Sequence, residues 1–350
     1  MMNKAHFPKF DLIRIFAFLC ICIVHFNASV SGYDIWGSFV LNNSLIPNYW
    51  GGVYLGNIGN GLFFLLSGTL LGHTSFFSNI SISELKFFYI KRIKVIFPLY
   101  WIAFWGATFL SLGPNFFDKP LRYLLVSFLG LDGYALVLGF FNAGQFYKVG
   151  EWFLGCILCI YLIWPFFSYL FNKSPLGIGV LVLGSCFYLQ NYMNPVFIIF
   201  WLPYFILGMV YIKFWKTVRN NLEVLIFTVS IIFLRIIFDA QLGEWSKALV
   251  LDWTIFYVIL YLCEICPIKN QIIIKKLSYF SFMTYPVFLV HHQVIYHLCK
   301  YFDLTNWAYW KTIMLFIVYA IITILLAKFI VYIKDKICYF MVTFIFERSK

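Results

Sequence analysis

The sequence predicts an all-α integral membrane protein: a bundle of about ten transmembrane helices plus a re-entrant or interfacial segment, folded as a single domain over 1–350. Three observations carry that prediction. Of 350 residues, 63% are hydrophobic and 11% charged, whereas a soluble domain averages about 25% charged and under half apolar. Apolar runs of about 20 residues recur along the chain, the length that crosses ~30 Å of hydrocarbon as a helix. The runs do not alternate polar with apolar residues, as the strands of a membrane barrel would.

The apolar runs, in order, are 10–30, 55–73, 93–112, 121–141, 152–171, 176–191, 195–213, 222–238, 248–265, 277–298 and 310–333. The first follows Lys4 and Lys9, carries Arg14 and His25, and has no small-residue cleavage site, so it reads as a span and not a signal peptide. The run 121–141 is the weakest: it holds Asp132 and three glycines and leads into the polar stretch "FNAGQFYKVGE". Basic residues decide its status. If 121–141 does not cross, 18 Lys and Arg fall on the cytoplasmic side and 6 outside, with Arg235 and Lys328 inside spans. If it crosses, the clusters around 216 and 275 land outside, against the positive-inside rule. Ten spans with both termini cytoplasmic follow, with 121–141 as the re-entrant or interfacial piece.

The net charge of +12 is accounted for by this topogenic asymmetry and an anionic inner leaflet. No basic domain stands apart, which argues against a nucleic-acid partner. Nine cysteines are present. Two pairs have CxxC spacing, Cys156/Cys159 and Cys263/Cys266, but their apolar setting reads as small buried hydrophobes, not a metal site.

Ionisable groups inside spans mark function by default. Arg14 and His25 are eleven residues apart, so a helix places them on nearly one face with ~16 Å between them. Asp11, at i−3, is spaced to pair with Arg14. A snorkelling anchor is the bland alternative for Arg14, and a helix-gluing hydrogen bond for His25. A neutral imidazole in an apolar setting also suits a general base. His292 and His297 read as structural.

Five stretches together resemble the acyltransferase-3 family of bacterial membrane enzymes. "FDLIRIFAFLCICIVHF" resembles the family's first helix, in which Arg and His are separated by ten residues. "GNGLFFLLSGTLLG" resembles its Phe-Phe-x-x-Ser-Gly helix, "FYIKRIKVIFPLYW" the basic turn entering its third helix, and "EWFLGCILCIYLIWP" its Trp-Phe/Tyr-Leu helix. "LSYFSFMTYPVFLVHH" resembles its late Ser-Tyr-x-x-Tyr-Leu-x-His helix. The stretches occur in the family's order over nearly the whole chain. Two departures stand out. The family often has Arg-x-x-Arg before the proline of the third helix; here Arg92 is followed by Val95. Many members carry a Glu after Trp-x-Leu; here Gly155 and Cys156 stand there.

The resemblance implies a bacterial inner-membrane O-acyltransferase that moves an acyl group, most often acetyl, from acyl-CoA to a hydroxyl of a glycan or undecaprenyl-linked oligosaccharide. No bound cofactor or metal is implied. Under this reading His25 and Arg14 are catalytic. Arg92, Lys91, Lys94 and Ser67 serve the donor, although topogenic charge also explains the basic cluster. Trp152, Glu151 and His291 serve the acceptor or a secondary role. Arg14 and His25 then mark two ends of a donor channel about as long as a pantetheine arm. The rival classes are a glycan flippase, a polymerase or another transporter, none of which would act on acyl-CoA. The sequence shows no internal repeat of the kind common in transporters.

Overall fold

A computed structural model describes residues 7–32, 41–112, 120–139, 149, 151–175, 177–179, 181–182, 184, 197–305 and 307–348. Among them the regular structure is helical apart from one hairpin, as a span must be when no water is present to satisfy backbone groups. In order, the elements are α1 (Pro8–Val30), strands β1 (Tyr49–Trp50) and β2 (Val53–Tyr54), α2 (Leu55–Thr74) and α3 (Ile82–Leu112). The short α4 (Leu121–Phe128) and α5 (Asp132–Val137) precede α6 (Glu151–Lys173). A 3₁₀ turn at Ile198–Phe200 leads into α7 (Leu202–Val210), which ends in a π-helical turn at Tyr211–Trp215. Then come α8 (Leu222–Phe238), α9 (Glu244–Ile265), α10 (Gln271–Cys299) and α11 (Tyr309–Arg348).

Six of these helices are long and apolar enough to cross a membrane: Pro8–Val30, Leu55–Thr74, Ile82–Ser111, Trp152–Lys173, Glu244–Ile265 and Tyr309–Tyr339. The expected ten crossings exceed this number for identifiable reasons. α8 has 17 residues, and α7 with its π turn forms a shorter apolar helix. α10 has 29 residues, but Lys275, Lys276, His291, His292 and His297 lower its hydropathy. The run 176–191 lies mostly outside the described residues. The weak run 121–141 folds as two helices of 8 and 6 residues, each far too short to cross alone.

The chain divides into two compact units. The first comprises Met1–Val24, Ile46–Leu85 and Cys159–Thr284; the second comprises His25–Leu45, Lys86–Leu158 and Tyr285–Lys350.

In the first unit, glycines bring helix backbones together. A Cβ on Gly68 would lie 2.0 Å from the Phe205 carbonyl oxygen, and one on Gly208 would lie 2.0 Å from that of Leu65. A Cβ on Gly72 would lie 2.7 Å from Ile212. The Gly68/Gly72 pair thus serves the α2–α7 contact, as small-xxx-small spacing does in membranes. α9 packs on α8, where Trp253 Nε1 donates to Thr228 Oγ1 at 2.9 Å. The β1–β2 hairpin turns at Gly51 and Gly52, both at positive φ (55° and 74°), a conformation glycine adopts without steric cost. Arg235 of α8 fixes this turn: its guanidinium donates to the carbonyls of Gly51 and, at 3.2 Å, of Lys247. Glu244 accepts from Tyr54 N at 3.2 Å and from Asn57 Nδ2 at 2.9 Å. At the start of α1, Lys9 pairs with Glu264 at 2.9 Å.

In the second unit, the end of α1, the end of α10 and the start of α11 share an apolar core of Phe26, Val30, Val294, Ile295, Cys299, Leu304, Leu315 and Tyr319. Asn43 secures its edge: Nδ2 donates to the carbonyls of Val30 at 3.0 Å and Leu304 at 2.9 Å, and its own carbonyl accepts from Thr312 Oγ1. α3 holds the α4–α5 pair. Tyr100 donates to the Ser127 carbonyl, and Trp101 donates to the Phe128 carbonyl at 3.0 Å while stacking on the Phe128 ring. Ser127 in turn donates to Asp132, tying α4 to α5.

Candidate functional site

The second unit contains a cluster of three histidines. The His25 ring of α1 meets the His291 and His292 rings of α10, each at 5.1 Å between centroids, at interplanar angles of 67° and 74°. His291 is fully buried, whereas His25 and His292 are half-buried. His291 Nδ1 lies 2.7 Å from the Phe288 carbonyl, one turn earlier. A carbonyl only accepts, so Nδ1 carries a proton, and in the neutral form of the ring Nε2 is the lone-pair atom. This contact fixes both the ring's orientation and its tautomer. Phe288 also packs on His291 at 5.7 Å and on Phe153 of α6 at 5.7 Å.

Thus the late-helix motif and the first-helix motif, 266 residues apart, place their histidines in ring contact. The sequence reading set His292 aside as structural, yet its ring is as near to His25 as that of His291. Adjacent residues on a helix diverge by 100°, so the spacing favoured only one of the two; a ring entering between them meets both. His297 remains apart, with its ring against Tyr296.

Trp152, beside Phe153, is half-buried in the same unit, and α5 approaches it closely: a Cβ on Gly133 would lie 2.7 Å from Trp152 Cα. The side chain of Glu151 lies outside the described residues. At the family's Glu position, Gly155 faces Tyr134 and the Gly130 carbonyl within 3.3 Å of a built Cβ. Cys156 is fully buried with Tyr134 Oη at 3.4 Å. Tyr134 therefore occupies the space that a longer side chain at 155 would need.

The donor residues expected from the sequence are divided between the units. Arg14 and Ser67 belong to the first; Lys91, Arg92 and Lys94 belong to the second. Arg14 is turned inward: Nη1 donates to Ser281 Oγ of α10 at 2.9 Å. Ser281 is buried, and Asp11 and Tyr161 are in electrostatic reach of the guanidinium. A snorkelling arginine would point to water instead. Ser281 went unnoticed in the sequence because a hydroxyl in an apolar helix carries no signal of its own. Ser67 is half-buried beside the tight Gly68 contact.

The basic cluster is helical, lying within α3 and not in a turn before it. The Arg92 guanidinium stands 5.0 Å over the Phe88 ring. Lys91 and Arg92 are half-buried and Lys94 is exposed. Val95, at the family's second arginine position, is 61% exposed, so the departure removes a charge from the surface of the helix and opens no gap in the core. A further basic region lies in the first unit: a cavity of about 300 Å³ lined by Phe7, Lys9, Phe10, His73, Ile212 and Lys216. It brings together residues up to 209 positions apart, which no local spacing could reveal. Among the described residues, no group of three or more His, Cys, Asp or Glu is placed to hold a metal ion.

Compared with curated proteins and with solved structures, the chain matches none significantly. A family model does match, described as an acyltransferase domain, and it covers residues 7–332. The chain is thus a multi-pass membrane protein with the histidine and arginine of its first helix inside the matched region, and it belongs to the acyltransferase-3 family.

Proposed function

We propose that the protein transfers an acyl group, acetyl in the first instance, from acyl-CoA to a hydroxyl of a cell-surface glycan or its lipid-linked precursor. The observation that carries this reading is the contact of His25 with His291 and His292, within a chain matched to an acyltransferase model. His25, a half-buried imidazole in ring contact with both others, serves as the general base. It takes the proton from the acceptor hydroxyl as the oxygen attacks the thioester carbonyl. The carbon–sulfur bond breaks, and CoA leaves as a thiolate that takes up a proton. His291, with its tautomer set by Phe288, positions His25. Arg14, held by Ser281, serves the donor with its fixed positive charge.

CoA carries phosphates, and this reading offers two basic regions to receive them. One is Lys91, Arg92 and Lys94 on α3; the other is the cavity with Lys9 and Lys216. Trp152 is assigned to the acceptor, where an aromatic face suits a sugar ring. The topology is that of a bacterial inner-membrane protein with cytoplasmic termini. Reporter fusions after Lys173, Arg219 and Lys276 are therefore expected to give cytoplasmic signals; an external signal after Arg219 overturns that arrangement.

The direct test is purified protein with radiolabelled acyl-CoA and acceptor glycan. Label moving to the glycan supports the reading. A protein that exports or polymerises glycan but leaves acyl-CoA intact overturns it. Arg92→Ala is expected to weaken acyl-CoA binding by about ten- to a hundredfold, the scale of one charge-assisted phosphate contact of ~1.5–3 kcal/mol, with membrane insertion unchanged. Unaltered acyl-CoA affinity would leave Arg92 a topogenic residue.

A further inference from the structure

Asp252 plays no part in the chemistry above. It sits on α9, eight residues or ~12 Å along the helix from Glu244, inside a segment apolar enough to cross the membrane. Its side chain is 0% exposed, and neither carboxyl oxygen has a hydrogen-bond partner among the described residues. The fold makes room for it. A Cβ on Gly61 of α2 would lie 1.9 Å from Asp252 Oδ2 and 2.5 Å from the Tyr204 ring of α7. Any residue but glycine at 61 would displace the carboxyl or the Tyr204 ring.

An ionised carboxylate there would be a dry, unpaired charge, which costs several kcal/mol even after relaxation. Five described basic groups of the first unit have partners elsewhere. Arg14 donates to Ser281 and Lys9 pairs with Glu264; Arg235 holds Gly51, Lys247 pairs with Asp239, and Lys213 donates to Asn172. Among the described residues, Cys20 of α1 and Tyr204 of α7 are titratable groups in electrostatic reach. Tyr204 directs its hydroxyl to the Trp245 carbonyl at 3.5 Å, and its ring also feels Glu244. None of these supplies a positive charge.

We propose that Asp252 is a proton-binding site within the membrane-embedded part of the first unit, a carboxyl group that holds an exchangeable proton at neutral pH. An intramembrane carboxyl of this kind is what proton-handling membrane proteins use.

The test is infrared spectroscopy of the purified full-length protein in lipid. At neutral pH the wild type is expected to show a protonated-carboxyl carbonyl band. The band should move when aspartate, and not glutamate, carries a ¹³C-labelled carboxyl, and should shift in heavy water. It should vanish at alkaline pH and be missing from Asp252→Asn. The label assigns the band to aspartate even if the variant fails to fold. No aspartate band at neutral pH, or one that persists in folded Asp252→Asn, overturns the proposal. A band that ignores heavy water also overturns it, because the proton is then locked. Loss of acyl-transfer activity in an independent assay has no bearing on these spectra, so the two readings fail separately.

Discussion

His25→Ala is expected to lower glycan acylation by about a hundredfold or more, the range usual for loss of a general acid–base group, while expression and membrane insertion stay near normal. The variant loses two edge-to-face ring contacts, to His291 and His292, each worth ~0.5–1.5 kcal/mol. It leaves the neighbouring Phe26–Val294–Ile295 core in place. His25→Gln separates the roles, because an amide hydrogen-bonds but does not take a proton at neutral pH. Measured by transfer of labelled acyl groups to glycan, His25→Gln should be as inactive as His25→Ala. Native turnover in His25→Gln would show that the imidazole only glues helices.

Gly68→Val should have the largest effect on stability. A side chain at 68 points into the Phe205 backbone, 2.0 Å from its oxygen, and backbone cannot rotate away as a side-chain tip can. α2 and α7 must separate, and the reciprocal contact of Gly208 with Leu65 opens with them. Overpacking costs ~1–3 kcal/mol where side chains can adjust; here the cost is expected at or above the top of that range. Thermal unfolding in detergent should show a clearly lowered midpoint. Gly106→Val on α3 is the control, since a Cβ there meets nothing within 4 Å. Equal stability of the two variants would mean that the α2–α7 approach is looser than the structure shows.

The helical character and most helix positions were legible because they depend on local composition: long apolar runs cross as helices whatever surrounds them. The histidine pair was half legible. Arg14 and His25 are related by helix geometry alone, and the late-helix motif pointed to His291. The contact of His292 with His25 was not legible, because choosing between neighbours on a helix requires knowing what packs between them. Asp252 is a lone carboxylate at the centre of "LVLDWTIF", and nothing local distinguishes it from a group with a distant partner. Its meaning depends on Gly61 and Tyr204, 191 and 48 residues away. Ser281 and the Lys9–Lys216 cavity were illegible for the same reason: they arise only where distant helices meet.

The clamp between Arg235 and the hairpin has a consequence in time. An arginine near the end of an apolar helix costs the membrane a few kcal/mol until its guanidinium finds acceptors. Its acceptor at Gly51 is synthesised 184 residues before it, whereas the other, the Lys247 carbonyl, follows by 12. During synthesis the residues of the turn therefore emerge well before the arginine that fastens them. A chain whose turn is misshapen, as with Gly51→Val, leaves the guanidinium to its nearer partners, the Lys247 carbonyl and Asp239. The two glycines thus bear on the order of assembly during biogenesis as well as on the shape of the finished hairpin.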